Sequence, residues 1–444
     1  MERDTRNGRT RRRVLSTTGA LTAGALAGCL GDLTGGGSDD DGGDSGGSTA
    51  NLSTVETVGR SGRSASYPGS WAGSSAPSEA WRFEVGATPE FYAGMMGPAV
   101  DGERGQVYIA YRFQKESKIA ALDAGTGENV WEATVGRESG NNNPADPGYV
   151  TLAGDAVLVT YQSQVSAFDA DGGDHRWTTD VWDLRSNYRL GKALAVGGTA
   201  VVWYRSTVVG LDLASGDEVW RNEDAWLRRH AVDDEFVYRT SKYTDDGAFT
   251  LFAHDPGDGS VAREIGVEAD ENVFDFTPVG VVGDICFVHA NVTASPDSAL
   301  YAVSLADRTA TGTARLADLG YEDTAVFADG ETVYAYGTND GTEIRAYDGT
   351  SLEQTGSVGV GGTTVPRQYD GASRHAVTDD AVLFGHGKTL KSWSSDLGSG
   401  GWELTPSDTP VGTVVPAGGM LFVVTRSADL GGDYRTPATL VAYE

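Results

Sequence analysis

One short pattern constrains this chain more than any other feature, because it returns at a nearly fixed period. Asp123 is followed by Gly127 at plus four and Trp131 at plus eight, and the same spacing recurs in Asp169, Gly173 and Trp177 and in Asp212, Gly216 and Trp220. Self-similarity at this period marks a solenoid, a propeller or an array. Within one copy, apolar residues end a strand, Asp opens a loop, Gly closes it, and a second strand begins before Trp. The Asp carboxylate is suited to accept from backbone N–H groups two or three residues on. Gly at the last loop position supplies a positive φ without a clashing Cβ. Each copy therefore reads as a β-hairpin tip with a large apolar anchor beyond it.

With the loop-opening residue as marker, copies fall at Asp123, Asp169, Asp212, Asp255, Ser304, Asp348 and Ser394, at intervals of 46, 43, 43, 49, 44 and 46 residues. The fourth copy has Arg263 at the Trp position, the fifth and sixth have Gly312 and Gly356, and the seventh keeps Gly398 and regains Trp402. Two further strand-like runs precede each marker, such as residues 106–111 and 200–204. Four short strands in about 45 residues make a propeller blade. The run around Trp81 (79–86) matches the one around Trp131 (129–136), and residues 439–444 match a third strand. Pairing these two closes a ring and removes its open edge. The expected fold is all-β: an eight-bladed β-propeller over residues 79–444, with four-stranded antiparallel blades and an N-terminal strand closing the last blade. Seven blades is the competing count.

The Ala-x-Asp-x-x-x-Gly-x-x-x-Trp pattern resembles the pyrroloquinoline quinone (PQQ) repeat. That repeat is found in quinoprotein alcohol dehydrogenases and in the outer-membrane assembly lipoprotein of Gram-negative bacteria. The resemblance implies that Trp81, Trp131, Trp177, Trp220 and Trp402 dock one blade on the next. Catalytic members carry an adjacent cysteine pair and hold Ca²⁺ with carboxylates and amide oxygens beside an Asp base. This chain has two cysteines, Cys29 and Cys286, and they are not adjacent. Asp146, Asp183 and Asp275 lie in connections between units, where ordinary turn carboxylates are the better reading. No catalytic, cofactor-binding or metal-binding residue is assigned. A PQQ- and Ca²⁺-dependent oxidoreductase stands as the alternative, and capture of a carbohydrate or small solute as a further one.

Residues 1–28 read as an export signal. Arg11 and Arg12 precede Arg13, Val14 and Leu15, which resembles the twin-arginine pattern, and a short Gly/Ala-rich stretch follows. It is too short to span a bilayer as a stable helix. It ends Leu26-Ala27-Gly28-Cys29, which resembles a lipobox and makes Cys29 the lipidated first residue of the mature chain. The Gly/Asp/Ser-rich stretch that follows is a self-repelling tether, and residues 29–78 as a whole read as tether and leader. Cys286, in an apolar run, reads as a small buried hydrophobe.

The formal net charge is −29, with 63 acidic residues against 34 Lys and Arg. Such a body is a poor partner for nucleic acid or an anionic membrane surface. Only six of its cations are Lys, and Asp fills most turns, a composition that suits a salt-loving archaeal host. The six histidines show no zinc-ligand spacing. His230 and His375 occupy similar places before strand runs, and Asn51 and Asn291 open glycosylation triplets. The connections at 91–97, 137–149, 182–189 and 226–229 concentrate aromatic, Met, Asn and Arg residues. Aromatics and Arg are what binding hot spots favour. The expected protein is a monomeric, lipid-anchored propeller on the outer face of the cytoplasmic membrane. It acts as a non-catalytic scaffold for another cell-surface or membrane protein.

Overall fold

The burial demanded by each strand fixes its place in a blade. The strand Gln106–Phe113 is buried at six successive positions, and Met420–Thr425 at all six. A strand without alternation is covered on both faces. By contrast, the strand His175–Asp180 buries only Trp177, so it lies at a rim.

The computed structural model describes residues 66–67, 71, 75–85, 94–113, 116–137, 149–181, 190, 192–204, 207–223, 230–241, 248–269, 273–292, 297–316, 325–328, 332–337, 343–360, 375–407, 411–425 and 438–444. Among them there is no helix. Apart from Ser66–Tyr67, the strands form eight antiparallel four-stranded sheets, seven of them continuous in sequence: 94–137, 149–180, 194–222, 231–268, 273–316, 325–359 and 375–404. These are blades one to seven. In each, the first strand is innermost and the fourth outermost. Blade eight takes three strands from 411–443 and its outer strand, Glu79–Val85, from the other end of the sequence. That strand pairs antiparallel with Ala438–Tyr443, Trp81 opposite Ala442. The chain is an eight-bladed β-propeller closed by its N-terminal strand.

Apolar clusters between neighbouring blades hold the ring. Tyr108, Ala121 and Trp131 of blade one pack with Val157 and Phe168 of blade two. Similar clusters join each later pair up to blades six and seven, and one large cluster runs through blades seven, eight and one. The antiparallel strands give the ring two ends. The first–second and third–fourth turns share the turn end. The second–third and interblade links share the link end.

Two features have no signature in the sequence. In every blade the outer strand slips register by one residue near the Trp position, a β-bulge. A bulge bends and twists the strand locally, and it leaves the residue before Trp131 and Trp220 outside: Val130 and Val219 are exposed. The second feature lies within residues 29–78. Ser66–Tyr67 form a fifth strand, parallel to His375–Thr378, the innermost strand of blade seven.

A candidate interaction surface opposite the docking turns

The repeat residues meet at the turn end. Asp123 Oδ1 accepts from the N–H groups of Gly125 (3.0 Å) and Thr126 (2.8 Å), and Asp169 and Asp212 hold their turns the same way. Those hydrogen bonds, led by Ser215, keep the Asp212 carboxyl below the usual carboxylate range. At four joints the indole of one blade rests on the turn of the next. Trp81 Nε1–H donates to the Ala124 carbonyl (2.8 Å), Trp131 to Ala170 (2.9 Å), Trp177 to Leu213 (2.9 Å) and Trp220 to Pro256 (2.6 Å). The turn glycine under each indole, Gly127, Gly173, Gly216 or Gly259, has φ between +70° and +76°. A Cβ there would stand 2.4–2.7 Å from a Trp ring carbon. Two constraints therefore coincide on one residue. Arg104 adds an ionic link between blades one and two, 2.7 Å from Asp101 and 2.6 Å from Asp171.

Where the outer strand lacks Trp, the left-handed position of the facing turn is not Gly. At the next three joints, Arg263, Gly312 and Gly356 stand at the Trp position, and the facing turns carry Arg308, Leu352 and Leu397 at positive φ. A Cβ on Gly312 would lie 2.6 Å from the Thr350 carbonyl oxygen, and one on Gly356 2.8 Å from that of Asp396. Leu352 and Leu397 are buried. At the Gly312 and Gly356 joints the bulky group has moved from strand to turn, so these two copies are inverted. In blade seven the left-handed residue is Leu397, one position before Gly398, because that turn closes one residue earlier, from Leu397 N–H to the Ser394 carbonyl.

Trp402 has no such turn to dock on. Its Nε1–H donates to the carbonyl of Trp71 (3.0 Å), which also accepts from Ser392 Oγ (3.1 Å), while Trp71 N–H donates to Asp380 Oδ1 (2.7 Å). Sequence reasoning missed Trp71 because it belongs to no repeat.

At the link end, buried basic side chains stand at the entries to inner strands. Burial pushes the Lys192 amine down to about 8 and the imidazoles of His230 and His375 to about 3, so both histidines are neutral. Neither ring nitrogen of His230 has a hydrogen-bond partner, and its ring centroid lies 5.9 Å from that of Trp203 in blade three. Beside it, Arg239 lies over the Phe252 ring (4.3 Å) and donates from Nε to His254 Nε2 (2.7 Å). Toward the turn end of the same blade, His254 Nδ1–H donates to the Gly259 carbonyl (2.9 Å). His175 is exposed on an outer strand, with Nε2 2.8 Å from Thr178 Oγ1.

Met95 and Met96 are buried in the inner strand of blade one and are not displayed. Asn291 is 7% exposed within the strand Ile285–Val292, so its triplet is no accessible acceptor. Cys286 is buried, and desolvation raises its thiol pKa far above the ordinary range. Among the described residues, no three His, Cys, Asp or Glu side chains gather as metal ligands. Arg11, Arg12, Cys29, Asn51, Asp146 and Asp183 lie outside the described residues, as do 138–148, 182–189 and 224–229 and the side chain of Asp275, whose backbone belongs to the strand Val273–Val282 and not to a connection.

The geometry defines a class: an eight-bladed propeller whose blades are joined by tryptophan resting on a neighbour's turn. The family model described as outer membrane protein assembly factor BamB, a PQQ-type repeat model, matches residues 75–309 and 205–438. The chain belongs to that family. BamB of Burkholderia pseudomallei (strain K96243) is 32% identical over 110 residues, 24% of this chain and 28% of that protein. The chain thus spans well under two thirds of the curated relatives it matches. Among solved structures, BamB from Moraxella catarrhalis superposes with a TM-score of 0.54 at 13% identity, covering 83% of this chain and 98% of that one. A quinohemoprotein alcohol dehydrogenase, ADHIIG of Pseudomonas putida HK5, gives 0.56 at 12% identity, covering 89% and 78%. At those identities the likeness is one of fold.

Proposed function

We propose that this protein is a lipid-anchored interaction scaffold that presents its link end to another cell-surface or membrane protein. The observation that carries the reading is the division between the two ends. At the turn end the repeat residues are engaged in holding blades together: their carboxylates cap turns and their indoles rest on neighbours. The described strands that flank the interblade connections end at the link end, and in sequence the connections at 182–189 and 226–229 bring Trp182, Arg185, Arg189, Trp226, Arg228 and Arg229 to an otherwise acidic body. Arg and Trp dominate binding hot spots. A relative named as an assembly factor is consistent with a propeller that works by contact.

The remaining parts rest on sequence. Arg11 and Arg12 direct export of the folded chain, Cys29 carries the lipid, and the acidic surface is fitted to a haloarchaeal setting. The outer-membrane role in the relative's name is not carried over, because such a host has no outer membrane.

Cross-linking on intact cells, followed by mass spectrometry, tests the scaffold. One adduct is expected, lost in a Trp226→Ala/Arg228→Ala/Arg229→Ala variant and kept in Val130→Ala at the turn end. A Cys29→Ser chain is expected in the medium. Saturable binding of PQQ and Ca²⁺ by the purified chain, with reduction of a dye acceptor, would overturn the reading.

A further inference from the structure

Eight joints must close the ring, and the eighth differs from the rest. In blades one to seven a turn joins the third strand to the fourth, and at four joints the residue after the turn's first residue offers its carbonyl to the indole of the preceding blade. In blade eight no turn joins the third strand to the fourth, because the two come from distant parts of the sequence. Glu444 and Ser78 face each other where a turn would begin and end, exchanging two hydrogen bonds of 3.0 Å. Trp402 nevertheless presents its indole N–H at this joint as the other tryptophans do at theirs. Its acceptor is the carbonyl of Trp71.

We propose that the segment from Ser66 to Trp71 is a strap that replaces the missing eighth turn, so that the joint between blades seven and eight closes only when the leader is docked. Three anchors hold it. Ser66 and Tyr67 pair with Val377 and Thr378, on the innermost edge of blade seven. The Trp71 N–H is held by the carboxylate of Asp380, in the first turn of blade seven. The Trp71 carbonyl takes two donors, Trp402 Nε1–H and Ser392 Oγ–H. Its side chain is buried in the apolar cluster that runs through blades seven, eight and one. The residues between these anchors, 68–70 and 72–74, lie outside the described set.

A strap held by two strand pairs and one residue is a removable element. Undocking it bares the inner-edge backbone of His375–Thr378 and deprives the Trp402 indole of its acceptor. A bare strand edge is a template for an extended peptide. The strap therefore couples whatever lies upstream of Ser66 to the integrity of one joint and leaves the other seven unaffected.

The test is hydrogen exchange followed by mass spectrometry, at fixed high salt, on three chains: full length, a chain starting at Thr49 and one starting at Ser75. The full-length and Thr49 chains are expected to exchange alike. In the Ser75 chain, strands 375–394 and 411–425 exchange at least about tenfold faster, strands 149–212 are unchanged, and a synthetic 60–74 peptide restores protection. Equal exchange in all three chains overturns the proposal. Should the Ser75 chain not fold, Trp402→Phe in the full-length chain decides. It keeps the ring and removes the donor to Trp71, and faster exchange confined to blades seven and eight is expected. Exchange unchanged in that variant overturns the strap.

Discussion

Trp131 offers the sharpest trial of how the blades are joined. Its side chain is 8% exposed. A buried tryptophan covers about 150–250 Å², worth about 4–6 kcal/mol at about 25 cal/mol/Å². Residual compactness of the unfolded chain trims that to about 3–5 kcal/mol, the range found for large-to-small aromatic deletions. Trp131→Ala is therefore expected to cost about 3–5 kcal/mol. With an unfolding entropy near 0.8 kcal/mol/K for a propeller of this length, the melting temperature drops by about 4–6 °C. The partner residue makes the trial specific. A Cβ on Gly173 would lie 2.4 Å from Trp131 Cε3, at a φ of +73°. Gly173→Ala thus carries a steric cost of about 1–3 kcal/mol and a backbone cost of about 1 kcal/mol. Once Trp131 is gone only the backbone cost remains. In a double-mutant cycle read by circular dichroism in multimolar salt, Trp131→Ala/Gly173→Ala should be about 1–3 kcal/mol less destabilised than the two single variants summed. A Trp131→Ala cost under about 1 kcal/mol, or additivity within about 0.5 kcal/mol, refutes the docking argument.

The inverted joints predict an opposite sensitivity. Gly312→Ala should cost about 1–3 kcal/mol because its Cβ meets the Thr350 backbone, whereas Gly266→Ala meets nothing within 4 Å and should stay within about 1 kcal/mol of the parent. Equal melting temperatures for the two would contradict the close approach. The buried histidines predict acid sensitivity. His230 and His375 titrate near 3 when folded and near 6.5 when unfolded, so the unfolded chain takes up more protons. Their contribution is complete above pH about 6.5 and is lost as pH falls toward 3, at about 1.4 kcal/mol per pH unit for each. Denaturant midpoints between pH 6 and 4.5 should fall less steeply in a His230→Leu/His375→Leu variant, and an unchanged slope would show that these rings do not carry the effect. The acidic surface predicts dependence on salt: dialysis well below about 1 M should unfold the chain through unscreened repulsion, and a circular dichroism melt unchanged at low salt would sink that expectation.

Much of this protein is written in local sequence. The period from Asp123 to Asp169 to Asp212, and the match between the runs around Trp81 and Trp131, are enough to name four strands per unit and a ring closed by its ends. The turn is legible for the same reason, since Asp123 and the amides of Gly125 and Thr126 lie within three residues of one another. Alternation and turn chemistry are short-range effects, and a short window contains all the atoms involved.

What the sequence could not decide is which group fills each joint, because the partners are distant in the chain. Gly312 and Leu352 look like losses of the repeat until the fold brings their blades together and one compensates for the other. The bulge that precedes each docking position leaves no residue signature, because twist and packing impose it on Val130, Arg176 and Val219 alike. His230 and His375 carry ordinary titratable groups in sequence, and only burial makes them neutral. Trp71 and Trp402 stand 331 residues apart. Periodicity set the four-stranded repeat and the chemistry of the turns, and left eight blades against seven to the structure. The closed ring decided the joints, since only in the ring do residues a blade or more apart compete for the same space.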